Sequence, residues 1–156
     1  MIDRYTTPEM AKIWSEYNKF DTWKKVEITV TEVLCDMGEV PKDAVKVINE
    51  KADFSVERIL EIEKTTRHDV IAFLTNMAEN IGPESRFLHM GMTSSDLLDT
   101  SLALLCKEAG ELILEKLRKF KKVLRSRAIE HKDSFQIGRS HGVHAEPITF
   151  GLKLAS

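Results

Sequence analysis

From about Ser95 to His131 the chain carries no proline and a single glycine, Gly110, so nothing there stops a helix once it has begun. Within that stretch Leu98, Leu102, Leu105, Ala109, Leu112, Phe120 and Leu124 follow one another at helical spacing, and Leu117 fills in beside the polar slot at Lys116. At the rise of an α-helix this is an apolar seam about 50 Å long. A helix of that length cannot cover its own seam and needs long partners lying alongside it. The first 90 or so residues read as short helices, poorly matched to that task. The seam therefore predicts partner helices from elsewhere, either further along a longer chain or on other subunits. Its last turns hold Lys116, Arg118, Lys119, Lys121, Lys122, Arg125 and Arg127, which read as a solvated face that also suits the negative end of the helix.

The remaining punctuation is also helical. Thr7-Pro8-Glu9 has the order of a cap, a first-turn proline and a first-turn acid. Trp23, Val26, Val30, Val33, Leu34 and Met37 predict a helix over 21–37, stopped by Gly38. Pro41 opens a shorter helix, Ser55 caps another, and a further one covers roughly 68–80 before Gly82-Pro83. Strand patterns are essentially absent. The predicted fold is all-α, with an irregular glycine-rich stretch over 136–147 and a new helix starting near Ile148.

Composition narrows the function. A chain of 156 residues with 42% hydrophobic and 31% charged residues can build a core, and a net charge of −2 does not point to nucleic acid or an anionic membrane. No apolar run approaches a membrane span, and the start of the chain lacks the apolar stretch of a signal peptide. Cys35 and Cys106 lie far apart in helical contexts, which disfavours a disulfide framework and makes a reducing cytoplasm the expectation. Phosphate-binding glycine loops and a nucleophile elbow are not found.

Three segments place polar groups where a helical bundle has no need of them. In Arg67-His68-Asp69 a base, an imidazole and an acid meet at a helix start. Asp69 there can simply favour the helix N-terminus beside a surface histidine, or it can orient His68 toward a ligand. In His89-Met90-Gly91-Met92-Thr93-Ser94-Ser95-Asp96, Ser94 or Ser95 is expected to cap the long helix, with Asp96 in its first turn. The same N–H groups and hydroxyls also suit an anion such as a ligand carboxylate. In Gly138–Pro147, His141 is either an ordinary loop histidine or a proton-transfer group. His141 and His144 make a poor metal pair, with no cysteine and only Glu146 nearby, so neither metal nor cofactor is expected.

Taken together, these segments resemble the aspartase/fumarase superfamily and, within it, the N-terminal part of the adenylosuccinate lyases. The resemblance runs in order through Met1-Ile2-Asp3-Arg4-Tyr5, Arg67-His68-Asp69-Val70, His89-x-Gly91-x-Thr93-Ser94-x-Asp96-x-x-Asp99-Thr100 and Gly138-Arg139-Ser140-His141-Gly142-Val143-His144-Ala145-Glu146-Pro147. Lactonizing enzymes of the superfamily share the segment containing Thr93 and Ser94 but not those at Arg4-Tyr5 or Arg67-His68-Asp69. Ser140 departs from the threonine usual in the family, with the hydroxyl kept.

The resemblance implies a small helical domain over 1–93, followed over 94–156 by the opening of an L-aspartase-like central bundle. It implies β-elimination of fumarate from adenylosuccinate and from succinyl-aminoimidazole-carboxamide ribotide, both small-molecule substrates of purine synthesis. Arg4 and Tyr5 would hold the phosphate, and Thr93 and Ser94 the succinyl carboxylates. His141 would be the general acid, and His68, with Asp69 and Arg67 beside it, would assist. The family's base is a serine on a mobile loop well beyond position 156, and its active sites are shared among the subunits of a homotetramer. On this reading the 156-residue chain alone is inactive. The competing readings are a helical interaction module associating through the 98–124 seam, and another superfamily lyase such as a carboxymuconate-lactonizing type.

Overall fold

The longest helix begins where two left-handed turns release the chain. His89 (φ 59°) and Gly91 (φ 73°) both take the left-handed conformation, and α6 then runs Ser94–Glu130 without a break. The computed structural model describes residues 2–156, the side chain of Asp3 excepted, so Met1 of the N-terminal motif lies outside the described residues. Before α6 come a one-turn segment at Asp3–Tyr5 and helices α1 (Pro8–Ile13), α2 (Glu16–Asp36), α3 (Lys42–Lys51), α4 (Val56–Thr66) and α5 (Asp69–Ile81). The chain forms two compact units, residues 1–109 and 110–156.

In the first unit local sequence sets the helix ends. Thr7 caps α1, and the Ser15 hydroxyl accepts the Asn18 N–H at 3.1 Å to start α2. At the other end of α2 Gly38 (φ 84°) donates to Cys35 O and Glu39 to Leu34 O, both at 2.9 Å, the paired closure of a Schellman motif. α4 and α5 form a helical hairpin. Ser55 N–H donates to Asn76 Oδ1 at 2.8 Å, Asn76 donates to Glu79 at 3.1 Å, and Arg58 pairs with Glu79 at 2.6 Å, tying the start of α4 to the end of α5. The Arg58 guanidinium holds the Glu79 carboxyl below the usual carboxylate range.

The core is aromatic. The Phe73 ring lies 5.8 Å from Phe20, nearly parallel to it, and meets Trp23 edge-on at 5.5 Å and Phe54 at 6.3 Å. Ile48, Ile59, Met77 and Leu97 close around them, each without solvent exposure. Leu97 brings the first turn of α6 into this core. Farther along, α6 buries Ser101, Leu105 and Ala109 at four-residue spacing, while Leu102, placed on the predicted seam, stays 53% exposed.

In the second unit α6 continues with Ile113, Leu117, Phe120, Val123 and Ile129 exposed. The predicted glycine-rich irregular stretch is instead an antiparallel hairpin of β1 (Phe135–Ser140) and β2 (Val143–Thr149), and α7 starts at Phe150 rather than near Ile148. The chain is helical as expected, with this one sheet added among the described residues. Ile137, Val143, Ile148 and Thr149 supply strand-forming residues, but Gly138, Gly142 and Pro147 interrupt the alternation that would announce them. Register shifts between Ile137 and Arg139, and a Cβ on Gly138 would lie 2.8 Å from Glu146 O, so the bulge needs glycine there. Gly151 is a close approach of another kind. Its N–H donates to His131 O at 2.8 Å, and a Cβ would lie 2.7 Å from Lys132 Cα and 2.8 Å from the His131 carbonyl carbon.

Gly151→Ala is expected to push α7 off the end of α6 at a cost of about 1–3 kcal/mol. Amide hydrogen exchange should then show lost protection at Phe150 and position 151, with the aromatic core unchanged. Undiminished protection at both would contradict this close packing.

Candidate active site

Each site residue predicted from sequence falls at the end of an element. Arg4 and Tyr5 close the first one-turn segment, with the Arg4 guanidinium 4.8 Å from the centre of the Tyr5 ring and Tyr5 73% exposed. A cation and a phenol stacked this way at the surface offer a positive charge and a hydroxyl to one anion.

Arg67 and His68 form the whole connection between α4 and α5. Arg67 takes the left-handed conformation (φ 53°) that ends α4, and His68 is extended (φ −150°) and caps α5. His68 Nδ1 accepts the Ile71 N–H at 3.4 Å and lies 3.5 Å from Asp69 Oδ1, which itself accepts the Val70 N–H at 2.8 Å. The helix backbone thus orients the ring, with the Asp69 carboxylate beside it. A cap through Nδ1 leaves Nε2 as the ring nitrogen available to a ligand.

Thr93 and Ser94 stand at the start of α6. The helix begins at Ser94, so the capping position falls on Thr93, one residue before the expected Ser94 or Ser95. The Asp96 carboxylate reaches back to accept the Thr93 N–H at 2.8 Å, the acid's half of a capping box. Thr93 and Ser95 are exposed and Ser94 half-buried, and first-turn N–H groups of a helix lack intrahelical acceptors. The arrangement suits a carboxylate.

His141 lies in the second unit, at the tip of the β1–β2 hairpin. Ser140 and Val143 pair across it, and both central residues have positive φ, 51° at His141 and 78° at Gly142. This is the two-residue turn that favours glycine second and tolerates a short polar residue first. His141 is exposed. His144 pairs with Arg139 inside the hairpin, and among the described residues no cluster of ligands suited to a metal is found.

Among the described residues no hydrogen bond, ion pair or ring contact links Arg4–Tyr5, the 67–69 turn and Thr93–Ser94 to one another. What the sequence reading missed is the anchor behind His89. Glu27, fully buried in α2, accepts the His89 backbone N–H through Oε2 at 2.7 Å, and its Oε1 lies 2.6 Å from His89 Nδ1. The available signal was position: Glu27 stands four residues after buried Trp23 and four before buried Thr31, on the core stripe of α2.

Residues 3–156 match a family model described as Lyase. The chain belongs to that family. It is 49% identical over 155 residues to an adenylosuccinate lyase of Bacillus subtilis (strain 168), covering 99% of this chain and 36% of that protein. It is 53% identical over 155 residues to an adenylosuccinate lyase of Synechocystis, with the same coverage of 99% and 36%. Among solved structures, a 3-carboxy-cis,cis-muconate lactonizing enzyme from Pseudomonas putida superposes with a TM-score of 0.90 at 29% identity, over 99% of this chain and 37% of that one. The chain thus spans about a third of the length of the relatives it matches. It has the fold of this lyase superfamily, as the motifs predicted.

Asp96→Ala removes the acceptor that holds the Thr93 N–H and is expected to cost about 1 kcal/mol of stability. Urea denaturation of the chain measures it; an unchanged midpoint would mean the carboxylate does not secure this helix start.

Proposed function

We propose that the chain is the N-terminal third of an adenylosuccinate lyase, which eliminates fumarate from adenylosuccinate to leave AMP and performs the same cleavage on the succinyl-carboxamide ribotide. The observation that carries the reading is identity near one half to adenylosuccinate lyases along the whole chain. The placement of each motif at the end of an element, where a ligand can reach it, supports it. The lower identity to the lactonizing enzyme favours this substrate class over a lactone-forming one.

The reaction is a carbon–nitrogen β-elimination. A base removes the proton on the carbon beside one succinyl carboxylate, negative charge builds on that carboxylate, the C–N bond breaks, and the departing nitrogen takes a proton. Arg4 and Tyr5 bind the phosphate of the nucleotide. Thr93 and Ser94, at the positive end of α6, stabilise the charge developing on the carboxylate. His141 protonates the leaving nitrogen, and His68 assists from its capped position, flanked by Arg67 and Asp69. The base is a serine in the two thirds of the enzyme that follow residue 156, so the isolated chain does not turn over substrate.

The exposed apolar residues of α6, among them Leu117, Phe120 and Val123, fit the homotetrameric helix bundle in which several subunits complete each site. Residues 1–93 form the small helical domain of this enzyme and 94–156 the opening of its bundle. Two free thiols, Cys35 and Cys106, suit a cytoplasmic enzyme. Among the described residues no helix is long and apolar enough to cross a membrane.

In the full-length enzyme, His141→Ala is expected to lower kcat for adenylosuccinate by about 10²–10⁴-fold, with KM changed only a few-fold. Fumarate release followed by ultraviolet absorbance reports both constants. Near-normal turnover would remove His141 as the acid, and a wild-type enzyme that releases no fumarate would overturn the functional reading itself.

A further inference from the structure

The least expected polar contact in the first unit is the one between α2 and the turn before α6. Glu27 has no solvent-exposed side-chain surface, yet it stands among apolar neighbours on the core stripe of α2. Burying a carboxyl is costly unless its oxygens are satisfied. Both are satisfied by a single residue 62 positions away: Oε2 by the His89 backbone N–H at 2.7 Å and Oε1 by His89 Nδ1 at 2.6 Å. The two contacts grip backbone and ring together, which pins the residue's position and the rotation of its imidazole. They also explain how a histidine is kept at φ 59°, a left-handed conformation that side-chain-bearing residues seldom adopt.

We propose that Glu27 is a positioning residue of the candidate site, holding His89 as its Nδ1–H tautomer so that Nε2 is the ring nitrogen turned to the ligand. With the carboxyl accepting at both oxygens, the ring proton lies on Nδ1 and Nε2 is left without it in the neutral imidazole. Nε2 has no hydrogen-bond partner among the described residues. Ser101 Oγ is the one buried side-chain polar atom there that lacks a partner, so Nε2 reaches solvent through the 18% of the His89 side chain that is exposed. The gripped residue lies four positions before Thr93, within the segment that leads into the start of α6. A buried acid behind an imidazole is the arrangement by which proteins select a tautomer and aim the opposite nitrogen. This inference rests on the lyase reading and adds to it a residue from the interior of α2.

The test is a double-mutant cycle in the full-length enzyme. Glu27→Gln keeps the size of the side chain but cannot accept at both positions. It is expected to lower kcat/KM for adenylosuccinate by about tenfold or more in the wild-type background, and by less than about twofold in a His89→Ala background, because its effect passes through that ring. An effect below about twofold in the wild-type background, or the same factor in both backgrounds, overturns the proposal, since a general structural role would act alike in each. Should Glu27→Gln not fold, Glu27→Asp goes through the same cycle with the same criteria. A wild-type enzyme without turnover would fault the lyase reading instead. The ¹⁵N shifts of the His89 ring then decide the positioning role: a proton on Nδ1 in the wild type, lost wholly or in part in the Glu27 variant, supports it. An Nδ1 without a proton in the wild type, or one unchanged in the variant, overturns it.

Discussion

Thr93 and Ser94 depend on where α6 begins, and that point is set by packing. Leu97, in the first turn of the helix, is buried in the same cluster as Phe20, Trp23 and Phe73. Eight residues earlier, before the helix begins, Glu27 holds His89 from behind. Asp96 secures the Thr93 N–H between the two. A hydrophobic anchor, a buried polar grip and a surface cap thus bracket Thr93 and Ser94 within nine residues of chain. A helix start held from both sides can present its N–H groups and hydroxyls to a carboxylate without having to order them at the moment of binding.

The same economy recurs at the other candidate groups. His68 is oriented by the helix it caps, and Arg67 and His68 are the whole of the αα connection. His141 occupies a two-residue turn whose backbone geometry is fixed by the pairing of Ser140 with Val143. In each case local backbone requirements place the side chain, and the element behind it supplies the rigidity. What the chain does not supply is a cover for α6, whose apolar residues from Ile113 to Ile129 stay largely at the surface. That deficit agrees with a chain spanning about a third of its relatives' length.

Much of this was legible in the residues themselves. Gly38, Ser55 and Gly82 mark helix ends because capping and positive φ are local demands that only a few residue types meet. The length of α6 was legible because only proline or glycine interrupts a helix cheaply. The capping residue of α6 is not legible, since three consecutive hydroxyls at 93–95 are equivalent caps until the reach of Asp96 to the Thr93 N–H chooses among them. The hairpin was illegible for a related reason: Gly138, Gly142 and Pro147, which make its bulge and turn possible, are the residues that erase the alternation of a strand. Glu27 and His89 could not be paired from sequence at all. Their contact spans 62 residues, and an acid within a helix reads as solvated until the packing of Trp23 and Thr31 beside it is known.

On the proposed function, the start of α6 receives a succinyl carboxylate. A crystal structure of the full-length enzyme with an unreactive succinyl nucleotide bound tests it most directly. A ligand carboxylate oxygen is expected within about 2.7–3.2 Å of the Thr93 or Ser94 hydroxyl or N–H groups. A ligand whose carboxylates are held elsewhere, with Thr93 and Ser94 facing only solvent, would contradict it.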